Sequence, residues 1–333
     1  MRKKVFILIF VLLFLTSCTF IQQVRNEITG KSVNEELAFQ SIRLDTGKID
    51  VYFCPRDNCE EKLINLVGSS EKINCAFYEL NLLNLIDSFK DKGYSMVVDN
   101  DNYEEISGMK NVIKDDRTAL MHNKFCIFDN RIISTGSFNP TVNDNTKNNN
   151  NLVIISSEDL AENYNDEFNS FLKNRFGNDE KVKYPKTILN NEILIENYFC
   201  PEDDCEQHVY DVISRAEKRI YFMAFSFTSD KLGDLIIEKS KDVEIKGIFD
   251  NTQATTEYSE YNKMKEANLN VIIDKNPNFM HHKVFIVDDI VITGSYNPTS
   301  SGNKENDENI LVIYDISTAD KFLEEFEYVW NLK

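Results

Sequence analysis

Apolar positions fall along this chain in two distinct ways. Val5 to Leu15 is an unbroken apolar run of 11 residues behind Arg2, Lys3 and Lys4. As a helix it reaches only about 16 Å, short of a hydrocarbon core of about 30 Å. A basic start and that length predict a removable leader, not a spanning segment. Residues 20–48 show no strong period and predict a tether. From residue 49 onward the pattern changes. Short runs rich in β-branched and aromatic residues, such as Ile49-Asp-Val-Tyr-Phe53, Phe125-Cys-Ile-Phe128, Ile193-Leu-Ile-Glu-Asn-Tyr-Phe199 and Val284-Phe-Ile-Val287, alternate with stretches of helical spacing. Alternation of this kind predicts an α/β architecture.

The pattern is written twice. Tyr52-Phe-Cys-Pro-Arg-Asp-Asn-Cys-Glu60 returns as Tyr198-Phe-Cys-Pro-Glu-Asp-Asp-Cys-Glu206. Ala76-Phe77 then matches Ala224-Phe225, and Asp99-Asn100 matches Asp250-Asn251. Met121-His-Asn-Lys124 matches Met280-His-His-Lys283, and Gly136-Ser-Phe-Asn-Pro140 matches Gly294-Ser-Tyr-Asn-Pro298. Each half closes with a strand and a helix beginning near Ser156 and Ser317. Ordered landmarks of this kind mark an internal repeat. The expected division is a leader at 1–17, a tether at 18–48, a first repeat at 49–177, a linker at 178–192 and a second repeat at 193–333. A pseudo-twofold axis between the repeats would bring matching residues face to face.

Each half carries His-x-Lys-x4-Asp followed by Gly-Ser-x-Asn: His122, Lys124, Asp129, Ser137 and Asn139, then His281, Lys283, Asp288, Ser295 and Asn297. On a strand, residues two apart share a face, so His and Lys point together, as do Ser and Asn. Two lysines supply positive charge, and Ser and Asn supply hydrogen-bond donors, for phosphate oxygens. Imidazole is both nucleophile and proton donor near neutral pH. One from each half supplies the pair that a double displacement needs. Protonated Lys cannot ligate a metal and no carboxylate cluster suits a hard cation, so neither metal nor cofactor is expected. Ser137 and Ser295 lack the setting of a nucleophile elbow. His282 falls on the opposite strand face from His281 and is expected to be structural. His208 falls on a predicted helix and is expected at the surface.

The doubled motif resembles the phospholipase D superfamily, and the second half resembles its small branch of endonucleases and cardiolipin hydrolases. The resemblance covers residues 49–333. It implies two α/β lobes sharing one active site at their interface, with a single chain sufficient, and a phosphohistidine intermediate. It implies Asp129 and Asp288 as further motif members, although their positions after a strand suit an architectural role. The family's polar tail appears in the second half as Asn306-Asp-Glu-Asn309, whereas the first half reads Asn148-Asn-Asn-Asn151. A carboxylate at Glu308 can hold an imidazole N–H and raise its basicity. The simplest expectation pairs Glu308 with His281 of its own repeat, and which histidine attacks phosphorus stays open.

Leu15-Thr-Ser-Cys18 resembles a bacterial lipobox, which implies that Cys18 carries acyl groups and anchors an extracytoplasmic protein at the cell membrane. Export permits disulfides. The pairs Cys54/Cys59 and Cys200/Cys205 are expected as two local disulfides, with one four-Cys zinc site or free thiols as the alternatives. Cys75 and Cys126 lie in apolar runs and are expected as inert core thiols. The formal net charge of −18 opposes charge-driven binding to nucleic acid or to an anionic membrane. The expected substrate is a phospholipid head-group ester, hydrolysed to phosphatidic acid at the plane where a lipid anchor would hold the enzyme, with nucleic acid as the alternative.

Overall fold

The computed structural model describes residues 42–177 and 180–332. The leader, Cys18 and most of the tether lie outside the described residues. Strand β1 (Ile42–Asp45) closes the tether, and the first repeat then runs β2 (Ile49–Cys54), α1 (Cys59–Ser69), β3 (Lys72–Phe77), α2 (Leu83–Ser88), β4 (Gly93–Asp99), a 3-10 segment (Asn100–Ile106), β5 (Val112–Asp115), β6 (Lys124–Phe128), β7 (Ile132–Gly136), α3 (Val142–Thr146), β8 (Asn150–Ser156) and α4 (Glu158–Phe171). The second continues with β9 (Lys186–Leu189), β10 (Ile193–Cys200), α5 (Cys205–Ser214), β11 (Arg219–Ala224), α6 (Asp230–Lys239), β12 (Glu244–Phe249), α7 (Glu260–Glu266), β13 (Asn270–Ile273), β14 (Lys283–Val287), β15 (Ile290–Gly294), α8 (Ser300–Lys304), β16 (Glu308–Tyr314) and α9 (Ile316–Trp330).

One sheet has the order β2-β8-β7-β6-β3-β4-β5. The other contains the same order, β10-β16-β15-β14-β11-β12-β13, extended by β9 and β1. Two stretches expected to be connecting chain therefore contribute strands: Ile42–Asp45 of the tether and Lys186–Leu189 of the linker. Arg43–Lys333 forms one compact unit holding both sheets. Central strands β6 and β14 are buried at every position, which is why they read as near-continuous apolar runs. The closing helix of each repeat starts at a side-chain cap. Ser157 accepts from Leu160 N and Asp315 from Thr318 N, so the caps are not Ser156 and Ser317.

The inner faces of the two sheets share one core. Phe125 packs on Tyr164 and Tyr164 on Phe199, each with ring centroids 5.0 Å apart. Phe53 meets Phe322 across the same core at 5.1 Å. Each such fully buried ring contributes about 1.5–3 kcal/mol. Polar contacts across the halves are reciprocal. Thr135 Oγ1 donates to Asn309 Oδ1 and Thr293 Oγ1 donates to Asn151 Oδ1, both at 2.8 Å. His122 N donates to Asp307 O at 3.0 Å, and His281 N to Asn149 O at 2.8 Å. These matched pairs are the pseudo-twofold axis in chemical terms.

The match of Ala76-Phe77 to Ala224-Phe225 shifts by one residue in the strand register. Phe77 pairs with Lys124, and Ala224 with Lys283. Phe77 therefore corresponds to Ala224, and Tyr78 to Phe225. All six described cysteines are bonded. Cys54–Cys59 and Cys200–Cys205 form local disulfides at the strand-to-helix turns, not a shared zinc site. Cys75 and Cys126 form a third, which corrects their expected role as free core thiols. They sit directly opposite on antiparallel strands β3 and β6, a relation hidden by a separation of 51 residues.

Candidate active site

His122 and His281 line one cavity of about 620 Å³, together with Asn139, Asn297, Tyr78 and Phe225. Each histidine lies two residues before the lysine that opens a central strand, β6 or β14. Main-chain bonds to the opposite repeat fix this segment, as given above. Tyr78 meets His122 edge-on at 4.9 Å, and Phe225 meets His281 in the same way at 4.9 Å. The lysines fold back under the histidines: Lys124 Nζ donates to His122 O at 2.6 Å and Lys283 Nζ to His281 O at 3.0 Å. Both ammonium groups are buried. Burial pushes Lys124 down to about 8, and burial with the nearby Lys124 charge pushes Lys283 well below its ordinary range.

The carboxylates do not follow the expectation. Glu308 is not the partner of His281. Its two oxygens lie 2.9 and 2.8 Å from Nδ1 of His122, in the other repeat. The start of β16 is drawn across the axis by the bond from His122 N to Asp307 O, so each polar tail serves the opposite motif. His281 Nδ1 correspondingly meets Asn150 Oδ1 at 2.9 Å and Asp144 Oδ2 at 3.3 Å. Asp144 was not singled out by its sequence. Extending the match beyond Asn139-Pro140 by four positions aligns it with Gly302, which is the signal that marks it.

Burial sets the electrostatics of the pocket. It pushes the Glu308 carboxyl up to about 8, against the pull of Lys124. His122 is held well below its ordinary value by burial, then by Lys124 and Lys283. His281 is held down at about 4 by burial and Lys283, while Asp144 pulls the other way. The Asp144 carboxyl stays below its usual value despite burial, because His281 and several donors face it. Glu79, also on the cavity wall, is raised by burial and by Asp144.

The other motif residues separate into groups. Asn139 and Asn297 reach the cavity, and each has a buried Oδ1 without a protein partner. Ser137 and Ser295 do not face it: their hydroxyls accept from Asn151 N and Asn309 N, each at 3.0 Å, and so support the wall from behind. Gly136 and Gly294 precede them at φ 135 and 151, and a Cβ at either would collide with the Asn151 or Asn309 carbonyl. Asp129 and Asp288 lie at the far ends of β6 and β14, away from the imidazoles. Asp129 accepts from Glu71 N and Lys72 N, and Asp288 from Glu217, Lys218 and Arg219 N. They clamp the starts of β3 and β11 and do not join the reacting groups. The one-residue difference between the halves after these Asp residues is absorbed in the same distant hairpins. His282 is fully buried on the opposite face, between Asn151 Nδ2 and Glu325 Oε1, each 3.1 Å away. His208 is not a free surface residue; it stacks on Tyr198 with centroids 3.5 Å apart.

A family model described as cardiolipin synthase, PLD-like domain, matches residues 67–172 and 209–330. The chain belongs to the phospholipase D-like family. A phospholipase D of Rickettsia bellii is 30% identical over 146 residues, which is 43% of this chain and 73% of that protein. A mitochondrial cardiolipin hydrolase of Chlamydomonas reinhardtii is 32% identical over 124 residues, 37% of this chain and 56% of that protein. The crystal structure of the Haemophilus influenzae phosphatidylserine synthase superposes with a TM-score of 0.63 at 12% identity. It covers 84% of this chain and 85% of its own. That likeness extends to both repeats and concerns the fold. The chain is thus a phosphodiesterase of the phospholipase D type, with one imidazole supplied by each repeat.

Proposed function

We propose that the protein hydrolyses a phospholipid head-group ester to phosphatidic acid through a phosphohistidine at His122. The observation that carries this reading is the pair of imidazoles on one cavity wall, each with Nδ1 occupied by a side chain of the opposite repeat. With Nδ1 so held, each ring would work through Nε2. His122 Nε2 attacks phosphorus while the bond to the head-group oxygen breaks. His281 gives its Nε2 proton to that oxygen. His281 then takes a proton from water, the water oxygen attacks phosphorus, and the P–N bond breaks to free His122. Glu308 supports His122 as nucleophile by accepting its Nδ1–H, which leaves the Nε2 lone pair forward. An anionic phosphodiester counters the buried lysine charges and raises His281, so its charged form is reached with substrate in place. Lys124 and Lys283 supply the opposing charge, and Asn139 and Asn297 the hydrogen-bonding walls.

Lipid is favoured over nucleic acid by the surroundings of the cavity. Glu79, Glu105 and Asp144 are on its wall, a poor setting for a polyanion. Phe279, on the same wall, is 42% exposed, and Leu83 and Val142 beside the wall residues Asn81 and Thr141 are 76% and 50% exposed. Exposed apolar side chains beside a polar cavity suit contact with a bilayer. An acylated Cys18 would hold the enzyme at the extracytoplasmic face of that membrane. The test is hydrolysis of vesicles of phosphatidylcholine, of cardiolipin and of single-stranded DNA, with chelator present. Phosphatidic acid release from vesicles, with DNA left intact, supports the lipid reading. Cleavage of DNA with vesicles untouched replaces it with the nuclease reading.

A further inference from the structure

We infer that Asp144 is the positioning residue of His281, a carboxylate that the first repeat has moved from the strand position kept by Glu308 to a helix position where the second repeat has Gly302. The inference rests on the two-histidine reading above and deepens it. The correspondence follows from the fold. Thr141 caps α3 by accepting from Asp144 N at 3.2 Å, and Thr299 caps α8 by accepting from Gly302 N at 3.0 Å. Asn150 pairs with Cys54 and Glu308 with Cys200, so these two are equivalent as well. The repeats thus exchange two positions together: Asp144 with Asn150 in one, Gly302 with Glu308 in the other.

The exchange has a chemical sense. Asn150 Oδ1 holds His281 Nδ1 at the distance Glu308 holds His122, and so fixes the tautomer, but it carries no charge. Asp144 restores the charge from the side, 97% buried and 3.3 Å from the same nitrogen. The groups that act on His281 are Lys283 and Lys124, which repel its proton, and Asp144, which favours it. Asp144 also accepts from Asn139 N at 2.8 Å and from Asn148 Nδ2 at 2.6 Å, which fixes its orientation. The second repeat has no room for this solution: a Cβ at Gly302 would collide with the Asn297 carbonyl. One ring is therefore held by a strand carboxylate as acceptor of its Nδ1–H, and the other by a helix carboxylate that stabilises the imidazolium.

The experiment compares the first and later turnovers of bis(p-nitrophenyl) phosphate, whose leaving group needs no proton. In Asp144→Asn the initial burst of nitrophenolate stays within about 3-fold of wild type, while turnover of phosphatidylcholine vesicles falls about 100-fold. Asp144→Gly with Asn150→Glu copies the second repeat and recovers vesicle turnover to within about 10-fold of wild type. A burst that falls as far as vesicle turnover assigns Asp144 only to holding the Asn139 backbone and overturns the inference. So does wild-type turnover in Asp144→Asn. If Asp144→Asn does not fold, a folded but inactive double variant overturns it as well. Wild-type protein with neither burst nor product fails the phosphodiesterase reading itself, which is a separate outcome.

Discussion

Replacing Glu308 by Gln isolates the charge behind His122. Burial lifts the Glu308 carboxyl from an ordinary 4.5 to about 8, roughly 5 kcal/mol held against its charged form. Below that pH the carboxyl holds a proton and donates to Nδ1. The remaining ring hydrogen then sits on Nε2, and no lone pair faces phosphorus. Above it the carboxylate accepts from Nδ1–H, and Nε2 is free to attack. The burst rate of wild type should therefore rise with pH up to about 8, beyond which loss of the Lys124 charge opposes it. Glu308→Gln keeps the volume but removes the titration, and its amide can impose the wrong tautomer. By analogy with the Asp-to-Asn change behind a catalytic histidine, the burst should fall by about 10²–10⁴-fold and lose its dependence on pH through that range. The variant also takes away the carboxylate that supports the buried Lys124 and Lys283 charges, so a melting curve must show that it is folded across the pH range of the assay. Quench-flow across the titration, with a melting curve beside it, makes the measurement. A variant within about 3-fold of wild type, or one that keeps the rising limb, would refute the placement of Glu308 behind the nucleophile.

Further expectations follow from other parts of the molecule. His281→Ala should release a nitrophenolate burst yet lose steady turnover of an alkyl ester by about 10²–10⁴-fold, since the alkoxide then leaves unprotonated; loss of the burst as well would count against its role as acid. Leu83→Asp and Val142→Asp should weaken activity on vesicles at least about 5-fold and leave a soluble diester unaffected, if this surface meets lipid; equal activity on vesicles removes that contact. Reducing the Cys75–Cys126 bridge, or replacing both residues by Ala, should cost more stability than opening either local bridge, about 4 against about 2 kcal/mol from loop length; denaturant melts that rank them in reverse would contradict this. Asp288→Ala should lower stability by about 1–3 kcal/mol in all, since Glu217 N and Lys218 N are exposed and turn to water while Arg219 N is half-buried, with the reaction chemistry of the folded protein intact.

The doubled motif was legible because its parts are local. His-x-Lys lies at the start of a buried strand, and Gly-Ser-x-Asn closes the next, so alternation on each strand is enough to gather them. The duplicated order then predicts two sheets of one topology facing each other. What was not legible depends on which half a side chain serves. Glu308 lies in the second repeat, yet its oxygens reach His122. The cause is a main-chain bond from His122 N to Asp307 O, a long-range pairing with no sequence period. Asp144 was hidden for a related reason. Its repeat mate is a glycine, so a search for shared residues passes over it. Cys75 and Cys126 read as apolar core positions, and so they are; that they also oppose each other follows only from the β3–β6 register. Ile42–Asp45 and Lys186–Leu189 are too short and too polar to announce strands by pattern, and gain that conformation from the sheet edge they complete.

In the proposed mechanism phosphorus passes to His122 while His281 handles protons. Acid-stable labels would not report it, because a phosphohistidine is lost in acid. The direct measurement is therefore alkaline quenching during turnover, followed by peptide mass spectrometry. A phosphoryl adduct is expected on the peptide holding His122, accumulating further in Asp144→Asn and absent in His122→Ala. An adduct on His281, or on a serine, would contradict that mechanism.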